Sequence, residues 1–213
     1  ATCGTLDKFI GDGMMAVWNA PLDHPDPVRA ALRCALRMRE TVLDLDRRSR
    51  EEAEAAGRIH VPLAIGVGIH VGPACVGNIG SVRRFDYSAI GDTVNAAARI
   101  EPLCKNLCIS VLASEEVMQA APDFGFLFAG SVTLRGRQGA TRLYALYGDE
   151  RAVDADFLRY RQMHDRAVLL AEAGSSAAAE ELRRCVESPL SGRFREFYAL
   201  LLERHGGQRL AAE

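Results

Sequence analysis

Apolar positions recur with two periods along this chain, and each period predicts an element. Residues 6–10 and 14–18 are short apolar runs that read as strands, split by Gly11-Asp12-Gly13. Glycine on both sides of an aspartate permits the positive φ angles of a tight hairpin turn. Residues 19–27 make a loop rich in Pro and Asp. Asp26 or Pro27 then opens a long helix, with Val28, Ala31, Leu32, Ala35, Leu36, Val42 and Leu43 on its buried face. Residues 47–56 are strongly charged and read as a solvated end. Ile65, Val67, Ile69 and Val71 alternate strictly and predict a strand. Its other face carries Gly66, Gly68, His70 and Gly72, where missing side chains let something approach the backbone closely.

A second hairpin is predicted from a strand near residues 74–77, a polar turn at 80–84 and a return strand over 85–89. Asp92 or Thr93 caps the next helix, which runs to about Leu103. Residues 107–112 read as a strand, and Ser114 caps a short helix with Glu115 and Glu116 in its first turn. Residues 126–134 and 142–147 are a terminal pair of strands joined by Arg135-Gly136-Arg137-Gln138-Gly139. Strands alternating with helices predict an α/β or α+β sandwich. After Gly148 the composition shifts. Helices are expected over 157–173, 176–186 and 192–205, broken at Gly174-Ser175 and Ser188-Pro189-Leu190. The chain therefore divides into a domain over 1–148 and a helical extension over 149–213, the latter like a single helical-repeat unit.

Composition narrows the class. The 213 residues, 48% apolar and 25% charged, suit one globular domain with a small appendage. A net charge of -2 gives no global attraction to nucleic acid or anionic membranes, so any anion site is local. No apolar run approaches the roughly 18 residues that cross a bilayer, and no secretory signal pattern opens the chain. A cytoplasmic chain is expected. It begins at Ala1, not Met, so it reads as part of a longer protein whose upstream segments could anchor it in a membrane. The six cysteines read as reduced, mostly buried thiols, with Cys104 and Cys108 in the core.

The candidate chemistry is concentrated at two places. Asp12 stands at the tip of a rigid turn, where a carboxylate can hold a divalent ion together with substrate phosphates, although a turn aspartate is common. Asn95 and Arg99 are four residues apart on one helix face. Arg offers planar, permanent donors to phosphate and Asn can orient a sugar oxygen; a solvated stripe is the plain alternative. Arg135 and Arg137 suit a second phosphate contact or a polar turn. Lys8 lies in an apolar strand, where an edge position is the other explanation. Ser88, as a lone hydroxyl, says little.

The segments Lys8-Phe9-Ile10-Gly11-Asp12, residues 66–80 and residues 87–101 closely resemble the catalytic domain of class III adenylyl/guanylyl cyclases. The run Ile90-Gly91-Asp92-Thr93-Val94-Asn95-Ala96-Ala97-Ala98-Arg99 is the specific part, and the likeness spans about residues 5–147. The resemblance implies a ferredoxin-like fold working as a head-to-tail homodimer, with active sites at the interface. It implies that Asp12 is a metal ligand, and that two divalent ions, Mg²⁺ or Mn²⁺, are cofactors. Asn95 and Arg99 would be catalytic, positioning the ribose and stabilising the transition state. Lys8 and Ser88 would select the purine, and Arg135 and Arg137 would meet the triphosphate. Lys only donates hydrogen bonds, which suits the N1 acceptor of adenine, whereas guanine presents donors there. The expected reaction is ATP to cyclic AMP and pyrophosphate, by attack of the 3′-hydroxyl on the α-phosphorus, in signal transduction. Asp12 would serve one active site and Lys8 of the same hairpin the other.

The family's first metal aspartate sits in a Phe-x-Asp-Ile-x-Gly-Phe-Thr-like segment, which this sequence does not contain. Asp7 lies on the wrong strand to replace it. The expectation is a cyclase whose fragment, as given, is inactive or nearly so. A catalytically silent nucleotide-binding or regulatory domain and a guanylyl cyclase are the alternatives. The helical extension is expected to pack on the domain or bind a protein partner.

Overall fold

The structure is a computed structural model that describes residues 4–81, 84–134 and 139–210. β1 (Thr5–Ile10) and β2 (Gly13–Val17) form an antiparallel hairpin with Gly11 and Asp12 as its loop. Of the two glycines flanking Asp12, Gly11 takes a positive φ of 62° and Gly13 joins the strand. α1 (Pro27–Ala55) starts where the sequence puts it: the Asp26 carboxylate accepts from the Arg29 amide, and Pro27 fills the first turn. Leu43, predicted on the buried face, is exposed.

β3 is only Val67–Ile69, because only those residues have partners, in β6 (Val111–Ser114). β4 (Cys75–Ser81) and β5 (Arg84–Ile90) make the second hairpin. α2 (Asp92–Ile100) and α3 (Leu103–Asn106) follow. Neither Asp92 nor Thr93 caps α2; Gly91 holds that position, and the Thr93 hydroxyl donates to the Pro73 carbonyl. β6 begins later than predicted because Leu107 closes α3 and Cys108 turns the chain with φ 54°. Ser114 precedes α4 (Glu115–Ala120), but its hydroxyl bonds His70 Nδ1 at 2.8 Å and does not cap. β7 (Gly125–Val132), β8 (Thr141–Gly148), α5 (Ala155–Glu172), α6 (Ala178–Glu187) and α7 (Arg195–Leu210) complete the chain.

The main sheet has the order β3-β6-β8-β7, with β3 parallel to β6 and the other pairs antiparallel. The two hairpins are separate two-stranded sheets. This mixed sheet with helices is the α+β arrangement the sequence predicts. Phe126, Leu127, Phe128 and Ala129 are all buried, as in a strand covered on both faces. Arg39, buried on α1, donates to the carbonyls of Leu146 at 2.8 Å and Tyr147 at 3.1 Å, tying α1 to the end of β8. Burial, with Arg193 nearby, brings its pKa down to about 10, so it stays charged at neutral pH.

What approaches the glycine face of β3 is α2. A Cβ on Gly68 would lie 2.4 Å from the Glu101 nitrogen and 2.6 Å from the Ala97 carbonyl oxygen. Both are backbone atoms and neither can rotate away. Of the five described cysteines, all are free, and Cys104 and Cys185 are buried. Cys75 and Cys108 are exposed, Cys108 because it sits at the left-handed turn after α3.

The C-terminal helices share the core. Phe157, Tyr160, Leu182, Phe194, Phe197 and Tyr198 belong to the same buried cluster as Leu32, Leu112 and Leu127. α5 also occupies the open edge of β7. Asp165 accepts from the Phe128 amide at 2.9 Å, Glu172 accepts from the Ser131 amide at 2.5 Å, and His164 Nε2 donates to the Phe128 carbonyl at 2.8 Å. That donation fixes the tautomer. Nδ1 must then accept from the Tyr198 hydroxyl at 2.6 Å, which accepts in turn from Tyr160 at 2.6 Å. Burial brings the His164 pKa down to about 4.

Gly68→Ala should cost about 1–3 kcal/mol in urea unfolding, and an unchanged midpoint would show that α2 can back away. His164 gives a pH signature. Between about pH 6.5 and the folded value of about 4, the unfolded chain binds a proton that the folded chain refuses. Stability should therefore fall as pH drops through that window. His164→Gln should flatten this slope, and equal slopes in both proteins would remove His164 as its source.

Candidate active site

β1 departs from plain pairing at one residue. Leu6 pairs with Ala16 and Lys8 with Met15, which leaves Asp7 as the extra residue of a bulge. Strict alternation would send Asp7 and Lys8 to opposite faces, but a bulge re-aims side chains. Both reach Ser88 of β5, which is 4% exposed and stands opposite Gly77 of β4. Lys8 Nζ lies 2.8 Å from Ser88 Oγ, and Ser88 Oγ lies 2.8 Å from Asp7 Oδ2. The Ala89 amide donates to the same Asp7 oxygen at 3.4 Å.

The donors and acceptors in this chain follow from the groups. An ammonium only donates and a carboxylate only accepts. Ser88 therefore accepts from Lys8 and gives its one proton to Asp7. The Asp7 side chain is 3% exposed, and its Oδ1 is buried without a hydrogen-bond partner among the described residues. Lys8 Nζ is 3.6 Å from that oxygen. Lys8 itself is 44% exposed, so the buried carboxylate and hydroxyl sit beneath a cation that reaches solvent.

Of the predicted site residues, the structure joins Lys8 and Ser88 directly, within one chain. α2 follows β5 after Gly91 and carries Asn95 exposed and Arg99 half-buried, one turn apart. Asp12 is exposed at the hairpin tip. Asp12, Asn95 and Arg99 share no side-chain hydrogen bond or ion pair with one another among the described residues. Arg135 and Arg137 lie outside the described residues. The described residues contain no group of three or more His, Cys, Asp or Glu placed to hold a metal ion. For a divalent ion they offer Asp12, which does not make a metal site by itself. Asp7 is the residue that sequence reasoning missed. Its signal was present: two consecutive charges, Asp7 and Lys8, inside an apolar strand cannot both face outward in a regular strand.

Residues 7–148 match the family model of the adenylate and guanylate cyclase catalytic domain. The chain belongs to this family. Adenylate cyclase 1 of Rhizobium meliloti is 36% identical to it over 152 residues, covering 71% of the chain and 22% of that protein. The adenylate cyclase of Anabaena cylindrica is 33% identical over 146 residues, covering 66% of the chain and 28% of that protein. The chain thus spans about a quarter of the length of these relatives. Among solved structures, the cyclase domain resembles the adenylyl cyclase CyaB from P. aeruginosa, with a TM-score of 0.60 and 29% identity over 72% of this chain and 76% of that one. It also resembles the guanylyl cyclase Cya2, with a TM-score of 0.58 and 26% identity over 72% of this chain and 74% of that one. No described helix of the cyclase domain is long and apolar enough to cross a membrane.

Proposed function

We propose that this chain is the catalytic domain of an adenylyl cyclase, forming cyclic AMP and pyrophosphate from ATP at sites shared between two copies. The observation that carries the reading is the Lys8–Ser88 contact at 2.8 Å. It sets a donor beside an acceptor, 80 residues apart in sequence, as the edge of adenine requires. Relatives of both base specificities are similar to the chain, so the choice of ATP rests on this chemistry. Lys8 donates to N1 of the base. Asn95 orients the ribose, and Arg99 offsets charge on the phosphate as the 3′-hydroxyl attacks. Arg135 and Arg137 meet the triphosphate in this reading. Two divalent ions, Mg²⁺ or Mn²⁺, belong to it, and when bound would neutralise phosphate charge; Asp12 is the carboxylate that the described residues set out for them.

The dimer is supported by apolar exposure on both hairpins. Leu6, Phe9, Ile10 and Met14 are exposed on the first, and Tyr87 and Ile90 on the second. Phe9 is 70% exposed. Exposed apolar side chains gathered this way mark an interaction surface. A catalytically silent nucleotide-binding domain is the second reading, favoured by the single carboxylate at the hairpin tip.

The full-length protein, assayed with ATP and GTP in Mg²⁺ or Mn²⁺, should release cyclic AMP selectively. Arg99→Ala should lower kcat by roughly 10²-fold or more. No product from a protein shown to be dimeric would favour the silent domain, and faster turnover of GTP would make it a guanylyl cyclase. Phe9→Glu should convert the dimer to monomer in light scattering and remove activity with it. An unchanged mass would take the first hairpin out of the interface.

A further inference from the structure

We propose that Asp7 is a positioning residue that sets base selectivity, by holding the Ser88 hydroxyl as a hydrogen-bond acceptor. The inference rests on the reading of Lys8 and Ser88 as the purine-selecting pair. A serine hydroxyl ordinarily rotates and can donate or accept. It would then tolerate either the 6-amino group of adenine or the 6-oxo group of guanine. Ser88 lacks that freedom. Its one proton is taken by Asp7 Oδ2 at 2.8 Å, and one lone pair is taken by Lys8 at 2.8 Å. One lone pair is left.

Asp7 is held in turn. The Ala89 amide donates to the same oxygen, and the carboxylate is 3% exposed, so water does not compete for it. The bulge in β1 brings Asp7 to the same side as Lys8. With adenine N1 facing Lys8, the 6-amino group donates to the remaining lone pair of Ser88. Guanine in the same orientation sets its N1–H against the ammonium and its 6-oxo group against that lone pair. A freely rotating hydroxyl would relieve the second conflict by donating to the oxygen. Asp7 prevents this, so the lysine and the hydroxyl both discriminate.

The test uses the full-length protein and 3′-deoxy ATP and 3′-deoxy GTP, which lack the attacking hydroxyl and report binding alone. Both compete against a fluorescent ATP analogue. The unmutated protein should prefer the adenine nucleotide. Asp7→Ala should reduce that preference by about tenfold, the size of one hydrogen bond exchanged for one conflict. Ser88→Ala should reduce it similarly, and the double variant should be no worse than either single one, because Asp7 acts through Ser88. Full preference in Asp7→Ala, effects that add in the double variant, or no preference in the unmutated protein would each overturn the proposal. Ser88→Ala keeps the test decisive if Asp7→Ala fails to fold. A hydroxyl free to donate would serve guanine at least as well as adenine, so an unchanged preference in Ser88→Ala overturns the proposal too. Product assays with ATP run alongside. Asp7-dependent preference without cyclic product would sustain this inference and refute the activity. Cyclic product with unaltered preference in Asp7→Ala would do the reverse.

Discussion

One buried carboxylate, that of Asp7, ties together the two hairpins of this molecule. Neither hairpin is part of the main sheet, and a two-stranded hairpin alone is marginal in water. Asp7 links them: it belongs to the first hairpin and accepts from Ser88 and Ala89 of the second. Losing a partner of a buried group costs the desolvation of what remains. The contact therefore resists opening more strongly than a surface pair of the same length would. Lys8 tops the contact as its solvent-facing member, with a side chain 44% exposed.

The remainder of the fold is built in the opposite manner. Around the four-stranded sheet the core is apolar, and several of its polar ties run from helix side chains to strand backbone. Arg39 spends its guanidinium on two carbonyls of β8, and α5 spends an imidazole and two carboxylates on β7. The glycine face of β3 admits α2 at backbone contact, which sets where Asn95 and Arg99 stand relative to the strands. The position of α2 is thus inherited from the missing side chain at Gly68 of β3.

Much of this was legible in the sequence, where local rules apply. The turn at Asp12, the start of α1 at Asp26-Pro27 and the breaks near Gly174 and Pro189 each announce themselves in two or three residues. The pairing of Lys8 with Ser88 was legible only through family resemblance, because nothing local connects residues so far apart. Asp7 enters the sequence reading only as a stand-in for the family's first metal aspartate, set aside for lying on the wrong strand, and the bulge that brings it to Ser88 is invisible to local patterning. The cap of α2 failed for another reason: Thr93 is a good capping residue, but Gly91 holds the cap position and Thr93 lies inside the first turn, its hydroxyl donating to the Pro73 carbonyl. The strand at β6 was drawn too early because apolar residues before it, such as Leu107, serve the core from a helix end.

The treatment of the β7 edge bears on how such chains can be combined. A strand whose amide and carbonyl groups are engaged by side chains of α5 cannot accept another strand there without displacing three of them. Growth of the sheet by strand addition is closed on that side. Exposed apolar side chains stand instead on the two hairpins, Leu6, Phe9, Ile10 and Met14 on the first and Tyr87 and Ile90 on the second. The C-terminal helices thus bear on strand pairing as well as on stability: where α5 lies along β7, its side chains hold the edge groups that another strand would need.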